Sequence, residues 1–226
     1  MSHITLATFG SLAVAMTAQA GFIGFAADSQ QVSVNGTTKC VLDLYARFDS
    51  TADVLLNVYN ANFSVTGGFG PLSIAHNDLV GGSWAPQFTL VPLCDSVLTI
   101  GGSPGFANST QADPSFGGAG FNQSGIPVGA GWFNGNPANL QGKASLVTTQ
   151  SGSSFIGVLV GRFVRADSST SLKLLTMGAS ITYNQGLGTP GSQASGSGSF
   201  AFCVPSPGAL AMLVVAGLLP RWRRRT

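Results

Sequence analysis

Residues 39–48 read Lys39-Cys-Val-Leu-Asp-Leu-Tyr-Ala-Arg-Phe48, with an apolar side chain at every second position. A period of two is typical of a β-strand that buries one face. The turn-forming residues Asp49-Ser-Thr-Ala-Asp53 follow, and residues 54–65 read as a second strand, so we predict that the two form a hairpin. The inward face of the first strand consists of Cys40, Leu42, Leu44, Ala46 and Phe48.

The composition of the whole chain supports the same fold class. Only 8% of the 226 residues are charged, compared with about 25% in an average soluble protein, and all eight acids are aspartate. Helix surfaces are usually built from glutamate and lysine, whereas 31 glycines and 15 phenylalanines favour short strands joined by tight turns. Further strand candidates are residues 31–34, 87–91, 96–100, 144–149, 155–164, 172–183 and 199–204.

These segments predict an all-β fold, an antiparallel two-sheet sandwich or jelly roll with long loops rich in glycine and asparagine. Residues 101–142 interrupt the alternation with many Gly, Pro and Asn turns, so we expect a long loop there. Such a loop is either functional or a passive elaboration. A second Gly/Ser run, residues 189–199, is expected to be a mobile loop before the last strand. The aromatic residues that could hold the long loop are Phe106, Phe116, Phe121 and Trp132.

The amino-terminal segment has the features of an export signal. Residues 4–18 are apolar and small, and they lead into Ala18-Gln19-Ala20, the small-x-small pattern that signal peptidase accepts. We therefore predict a signal peptide over residues 1–20 and a cut that leaves Gly21 as the first residue. The alternative is an ordinary buried N-terminal segment.

The carboxyl-terminal segment has three parts in a fixed order. Val204-Pro205-Ser206-Pro207 is an extended, proline-rich motif, and twelve apolar residues, 208–219, follow it. A helix of that length would be about 18 Å long, shorter than the roughly 30 Å hydrocarbon core of a membrane. The predicted short transmembrane helix is therefore a poor permanent anchor. The chain closes with a basic cluster that would stop in the cytoplasm, formed by Arg221, Arg223, Arg224 and Arg225.

This tripartite tail resembles a PEP-CTERM sorting signal. The usual motif of that family is Val-Pro-Glu-Pro, and here Ser206 stands in place of the glutamate. The resemblance implies processing by an exosortase-like enzyme, contact with the membrane until then, and delivery to the cell envelope, cell surface or extracellular matrix. A plain hydrophobic tail anchor is the alternative. The predicted domains are therefore a signal peptide (1–20), a β-sandwich (21–203) and a sorting tail (204–226).

The body has three cysteines, Cys40, Cys94 and Cys203, and an exported chain would meet oxidising conditions. Pairing Cys40 with Cys94 would close a loop of about 55 residues and add about 4 kcal/mol on the chain-entropy model. Pairing Cys40 with Cys203 is nearly as plausible, because first and last strands often adjoin. The sequence does not choose between these two pairings.

Few residues in the body could perform chemistry. Its one histidine, His76, lies in a turn-like segment, and no catalytic or phosphate-binding motif is found. The aspartates could in principle run acid–base hydrolysis, although most read as turn caps. Loop aspartates could hold a structural calcium ion, and no cofactor is predicted. The aspartates in question are Asp43, Asp49, Asp53, Asp78, Asp95 and Asp113.

The charge of the body and its lack of catalytic motifs together indicate a class of function. Residues 21–204 contain six basic residues and eight aspartates, a net charge of −2, so no basic stripe for nucleic acid is expected. We predict a non-catalytic, exported surface or matrix protein. The first alternative is a carbohydrate-binding module of the envelope that stacks an extracellular polysaccharide on Trp84 and Trp132. The second is an aspartate-based glycoside hydrolase.

Overall fold

The computed structural model describes residues 21–34, 36–66, 84–86, 95–102, 108–123, 125–165, 173–186 and 188–202. Within them lie ten strands and two short 3-10 helices, Pro114–Phe116 and Pro137–Asn139. The strands are β1 (Phe22–Val34), β2 (Thr37–Phe48), β3 (Val54–Thr66), β4 (Val97–Leu98), β5 (Thr110–Ala112), β6 (Ala130–Asn134), β7 (Ser145–Thr148), β8 (Ser154–Val164), β9 (Lys173–Asn184) and β10 (Gly191–Phe202).

These strands form two antiparallel sheets, which confirms the predicted all-β, two-sheet class. The first sheet has the order β1-β2-β8-β4, and β7 also pairs with β8. The second sheet has the order β10-β9-β3-β6-β5. Apolar side chains from both sheets form one core between them. The fold is therefore held together by burial between two layers.

Strand β2 behaves as its alternation predicts. Its apolar set is buried, and Tyr45 and Arg47 on the opposite face are half-buried. The predicted hairpin with β3 is wrong, because β2 pairs with β1 and β8 while β3 pairs with β6 and β9. Residues 49–53 instead carry the chain from the first sheet to the second. A five-residue connection can cross a sandwich as easily as it can close a hairpin, and pattern alone does not separate the two.

The alternation in the predicted strands assigns eleven apolar positions to the core, and ten of them are buried. The exception is Leu174, which is 37% exposed, while its neighbour Leu175 is buried. When two leucines are adjacent, the alternation does not show which of them points to the core. In β9 it is the second, Leu175. The expected positions that are buried are Leu42, Leu44, Phe48, Leu55, Val58, Leu98, Ile100, Val158, Val160 and Ile181.

The expected long loop at residues 101–142 is not a loop throughout. It contains β5 and β6, which extend the second sheet. It also buries Phe116 and Trp132 completely in the common core. Short strands separated by glycine turns give no readable alternation, so the sequence pattern missed both.

Residues 189–199 are also corrected by the structure, because β10 begins at Gly191 and pairs with β9 along its whole length. Its glycines leave space for aromatic rings. A methyl group on Gly196 would lie 3.0 Å from the Phe22 ring, and one on Gly198 would lie 2.5 Å from the Phe200 ring. Aromatic rings that cover strand glycines compensate for the missing side chains.

Strands β1 and β10 face each other across the two sheets and run in the same direction. Phe22 and Phe25 contact Gly196, whereas residues 27–29 line a small cleft with residues 199–201. Gly21 therefore lies at one end of the sandwich, together with the 49–53 turn, and Phe202 lies at the other. We call these the N-terminal end and the C-terminal end.

Several sequence predictions fall outside the described residues. They include the signal peptide with Ala18 and Ala20, the sorting tail, and the strand expected at residues 87–91. No helix in the described part of the chain has the length and apolar character needed to cross a membrane.

Candidate functional site

An open groove of about 810 Å³ lies on the outer face of the first sheet. Strands β2 and β8 form its floor, β7 forms one side, and residues 136–143 form a wall together with Gly101 and Gly102. The groove is lined by polar and apolar surface in about equal parts, so its chemistry differs from that of the apolar core beneath the sheet. We take it as the candidate functional site.

The floor of the groove contains an ion pair. Arg162 Nε donates to Asp43 Oδ1 at 2.6 Å, and Arg162 Nη2 donates to Asp43 Oδ2 at 2.7 Å. Asp43 lies on β2 directly opposite Arg162 on β8, so the strand register sets this two-point geometry. The hydrogen bonds to Asp43 raise the pKa of Arg162, and the guanidinium stays charged. Both carboxylate oxygens of Asp43 therefore accept hydrogen bonds from Arg162.

Tyr45 lies two residues beyond Asp43 on the same face. Its ring meets the Phe155 ring edge to face with centroids 5.5 Å apart. Burial raises the pKa of Tyr45, and the carboxylates of Asp43 and Asp28 add to that effect. The phenol therefore stays protonated and can both donate and accept a hydrogen bond.

The wall of the groove is fixed by a polar cluster centred on Gln141. The Gln141 Nε2 atom lies 2.8 Å from the Ile100 carbonyl oxygen and 3.0 Å from Asn108 Oδ1. Its Oε1 atom accepts from the Ser109 backbone N–H at 2.9 Å. These bonds join segments that are far apart in the sequence, so the wall is a rigid part of the fold. The cluster comprises Thr99, Asn108, Ser109, Thr110, Asn134, Asn139 and Gln141.

Gly101 permits this close packing. It has a φ of +67°, and a methyl group there would lie 1.8 Å from the Gln141 carbonyl oxygen. Any side chain would push the wall away from β8, where the Gly101 N–H donates to the Leu159 carbonyl oxygen at 2.7 Å. The glycine-rich sequence of this region therefore serves backbone packing.

Three polar groups of the groove remain available to a ligand. The Tyr45 hydroxyl, the Asn136 side-chain amide and the Lys143 ammonium have no hydrogen-bond partner in the part of the chain that the structure describes. Asn136 and Lys143 are exposed. An aromatic hydroxyl, an amide and a cation beside a charged pair can bind a polar, hydroxyl-rich ligand.

The predicted stacking role of Trp84 and Trp132 is wrong. Their side chains are 1% and 0% exposed, so neither indole offers a face to a ligand. Trp132 Nε1 donates to the Thr99 carbonyl oxygen at 2.9 Å, and Trp84 Nε1 donates to the Gln123 carbonyl oxygen at 3.1 Å. Both tryptophans therefore pack glycine-rich segments onto the core.

The described aspartates have separate local roles. Asp113 caps a 3-10 helix by accepting from the Ser115 N–H at 2.7 Å, and Asp95 accepts from the Ser96 N–H at 2.8 Å. Asp43 is the only carboxylate among the described residues of the groove. No group of three or more His, Cys, Asp or Glu side chains that could hold a metal is found in the described segments. His76 and Asp78 lie outside them.

The turn between β2 and β3 contains two neighbouring carboxylates. Asp49 Oδ1 accepts from the Gly21 backbone N–H at 2.5 Å, and the Asp49 N–H donates to the Gly21 carbonyl oxygen at 3.1 Å. Asp53 is 0% exposed, and neither of its carboxylate oxygens has a hydrogen-bond partner. Burial raises the pKa of Asp53 to about 6, and the charge of Asp49 contributes.

Cys40 is disulfide-bonded. Its two candidate partners, Cys94 and Cys203, lie outside the described residues, so both pairings remain open. The sorting motif Val204, Pro205, Ser206 and Pro207 lies outside them as well, as do the four arginines of the tail.

No protein family matches this sequence, and no curated protein or solved structure matches it. The function is therefore inferred from the geometry of the chain itself.

Proposed function

We propose that this chain is an exported, non-catalytic protein of the cell surface or extracellular matrix. Residues 1–20 act as a removable signal peptide, and residues 204–226 act as a sorting tail. The disulfide at Cys40 is the observation that carries the proposal, because such bonds persist in oxidising compartments and are rare in the cytosol.

The composition of the C-terminal tail also supports this proposal. A tail of this composition forms a short transmembrane helix before processing, with its arginines in the cytoplasm and Pro205 and Pro207 outside. Its short span favours removal over permanent anchoring.

Mass spectrometry of the chain from the host envelope tests the proposal. We expect the N-terminal peptide to begin at Gly21 and the peptide with Trp222 to be absent from surface protein where an exosortase-like enzyme is present. Changing Pro205 and Pro207 to alanine should leave an uncut, membrane-held form, whereas the control Pro190→Ala, in the exposed β9–β10 turn, should be processed normally. Intact Met1 recovered from the cytoplasm would refute export.

The groove supports a second candidate function, the binding of an extracellular polysaccharide. The specific observation in its favour is the set of unpartnered polar groups, Tyr45, Asn136 and Lys143, beside a rigid wall. Carbohydrate hydroxyls are recognised by amides, charged groups and aromatic faces of this kind. This candidate replaces the tryptophan platform with a different site on the same molecule.

Binding to polysaccharide isolated from the host matrix tests this second function. Asn136→Ala and Lys143→Ala remove exposed side chains that form no hydrogen bond within the described residues, and together they should weaken binding about tenfold. Asn122→Ala, an exposed asparagine outside the groove, is the matched control. Equal binding by the double variant and the control would exclude the groove.

A further inference from the structure

Hydrolysis of the Ala20–Gly21 bond would change the charge at a defined point of the fold. Water adds across the peptide bond and leaves a carboxylate on Ala20 and an ammonium group on Gly21. The Gly21 nitrogen already lies 2.5 Å from Asp49 Oδ1 in the structure. An uncharged amide N–H would therefore be replaced by an ammonium group at hydrogen-bond distance from a carboxylate.

We propose that this cut creates an ionic latch, in which the α-ammonium group of Gly21 binds the carboxylate of Asp49 and fixes the turn that joins the two sheets. The inference rests on the cleavage site of the proposed function. It goes further because it gives the cut a structural role in the body of the protein.

The turn has an excess of negative charge that the latch would offset. Asp53 is buried without a hydrogen-bond partner and repels the nearby charge of Asp49. The other titratable groups of the elements around the turn are Arg47 on β2, Tyr183 on β9 and Lys143 opposite Val54. In the described residues no ion pair joins any of them to Asp49. Arg47 instead lies over the Phe155 ring, 5.4 Å from its centroid.

The geometry around Gly21 also holds the new terminus in place. The Gly21 carbonyl oxygen accepts from the Asp49 N–H at 3.1 Å, so residues 21 and 49 are joined by two hydrogen bonds. The Phe22 ring packs against Phe25 and Phe48, with centroids 5.2 Å and 6.0 Å away. The ammonium group is therefore positioned by packed neighbours, which reduces the entropy lost when the ion pair forms.

A protease that cuts between glutamine and glycine allows a direct test. Its recognition sequence replaces residues 15–20 of the full chain, which is produced in an oxidising cytoplasm where signal peptidase does not act. Cutting then exposes Gly21 with no added residue. The acetylation rate of the Gly21 amine at pH 7, followed by mass spectrometry, reports how much of the amine is unprotonated.

We expect the amine to react at least threefold more slowly in the cut wild type than in the cut Asp49→Asn variant, because the carboxylate raises the pKa of the amine above its usual value of about 8. Asparagine keeps a hydrogen-bond acceptor, so this variant should fold. Asp28→Asn, which removes a carboxylate further along β1, where Asp28 pairs with Asp43 and not with the turn, should react like the wild type. Rates within about 1.5-fold of each other for wild type and Asp49→Asn would overturn the latch.

Urea unfolding gives a second readout that does not depend on reactivity. The cut wild type should unfold at a higher urea concentration than the uncut protein at pH 7. A group with a raised pKa stabilises the fold below its unfolded pKa and loses this effect as pH rises through its folded pKa. The difference should therefore disappear near pH 10, and its persistence there would contradict the ionic origin.

These results separate the latch from the export proposal. If the host cuts at another bond while the amine behaves as expected, the cleavage site in the proposed function is wrong and the contact is real. If the host cuts before Gly21 and the rates are equal, export stands and the latch is wrong.

Discussion

Strands β2 and β10 have the same length, 12 residues each, but different sources of stability. Strand β2 lies inside the first sheet and brings its own aliphatic side chains to the core. Strand β10 forms an edge of the second sheet and consists largely of glycine, serine and alanine. At Gly196 its inner face is covered by the rings of Phe22 and Phe25, which come from β1.

The difference shows that a strand can be specified by its neighbours. Strand β2 has an alternation that can be read in isolation. Strand β10 alternates too, with every second residue exposed, but as far as Ser199 small residues predominate on both faces, so hydropathy does not reveal the alternation. Substitutions in and around the two strands should therefore change the free energy of unfolding by different amounts.

Leu44→Ala should have the largest effect, because Leu44 is a fully buried leucine of β2. We expect a loss of about 2–5 kcal/mol in the free energy of unfolding, from lost burial and the cavity left behind. Urea denaturation measures it. Leu146→Ala, at a leucine that is 69% exposed, is the matched control and should cost less than about 0.5 kcal/mol. A loss below about 1 kcal/mol for Leu44→Ala would contradict this role of β2.

Arg162→Met tests the outer face of β2. The change leaves the buried carboxylate of Asp43 without its two hydrogen bonds, so we expect a loss of about 3 kcal/mol. The double variant Asp43→Asn with Arg162→Met removes both charges and should recover part of that loss in the same urea assay. If the double variant were less stable than Arg162→Met alone, the cost could not come from a stranded charge.

Gly196→Val tests whether β10 depends on space for aromatic rings. A side chain at this position would meet the Phe22 ring at 3.0 Å, so we expect a loss of about 1–3 kcal/mol. Gly178→Ala, on the neighbouring strand β9, is the control, because a methyl group there makes an ordinary contact at 3.8 Å with Ser197. Thermal unfolding of both variants decides the matter, and equal transition temperatures would refute the packing argument.

Asp53→Asn tests the turn that takes the chain from β2 to the second sheet. The folded pKa of about 6 is higher than the usual value near 3.9, so the protonated form is favoured by folding. This contribution is present at low pH and lost as pH rises through about 6. Asp53→Asn should therefore be about 1 kcal/mol more stable than the wild type at pH 8 and nearly equal to it at about pH 3, below the unfolded pKa. Urea midpoints at both pH values measure the change, and no pH dependence of the difference would contradict it.

Ser197→Val should have the smallest effect. Ser197 is exposed on β10 and lies opposite Gly178, so a β-branched side chain there adds strand propensity and covers the glycine. We expect a gain of about 0.5 kcal/mol. Ser197→Gly should lose a similar amount, and opposite signs for the two variants in urea denaturation are the expected result.

The sequence was sufficient for the elements that carry aliphatic alternation. Strands β2, β8 and β9 lie where the pattern places them, and most of the expected core is buried. Strands β5 and β6 were missed because they have three and five residues between glycine turns. The first half of β1 was missed because Gly24, Ala26 and Ala27 dilute its apolar signal.

The candidate site was less predictable than the core. Asp43 and Arg162 are 119 residues apart in the sequence, and only the pairing of β2 with β8 brings them together. The wall around Gln141 likewise depends on contacts over more than 30 residues. Tryptophans in glycine-rich segments suggest binding residues, although large aromatic rings also pack such segments onto a core.

The common direction of β1 and β10 gives the domain a lengthwise polarity. Phe22 lies against Gly196, and the six residues from there to Phe202 span roughly 20 Å at about 3.3 Å each. If the chain is attached through the residues after Phe202, the long axis of the domain points away from the attachment point. Gly21 and the 49–53 turn then lie at the end furthest from it. The first part of the protein that an approaching molecule meets would then be the newly cut terminus, and the tether would be its most sheltered part.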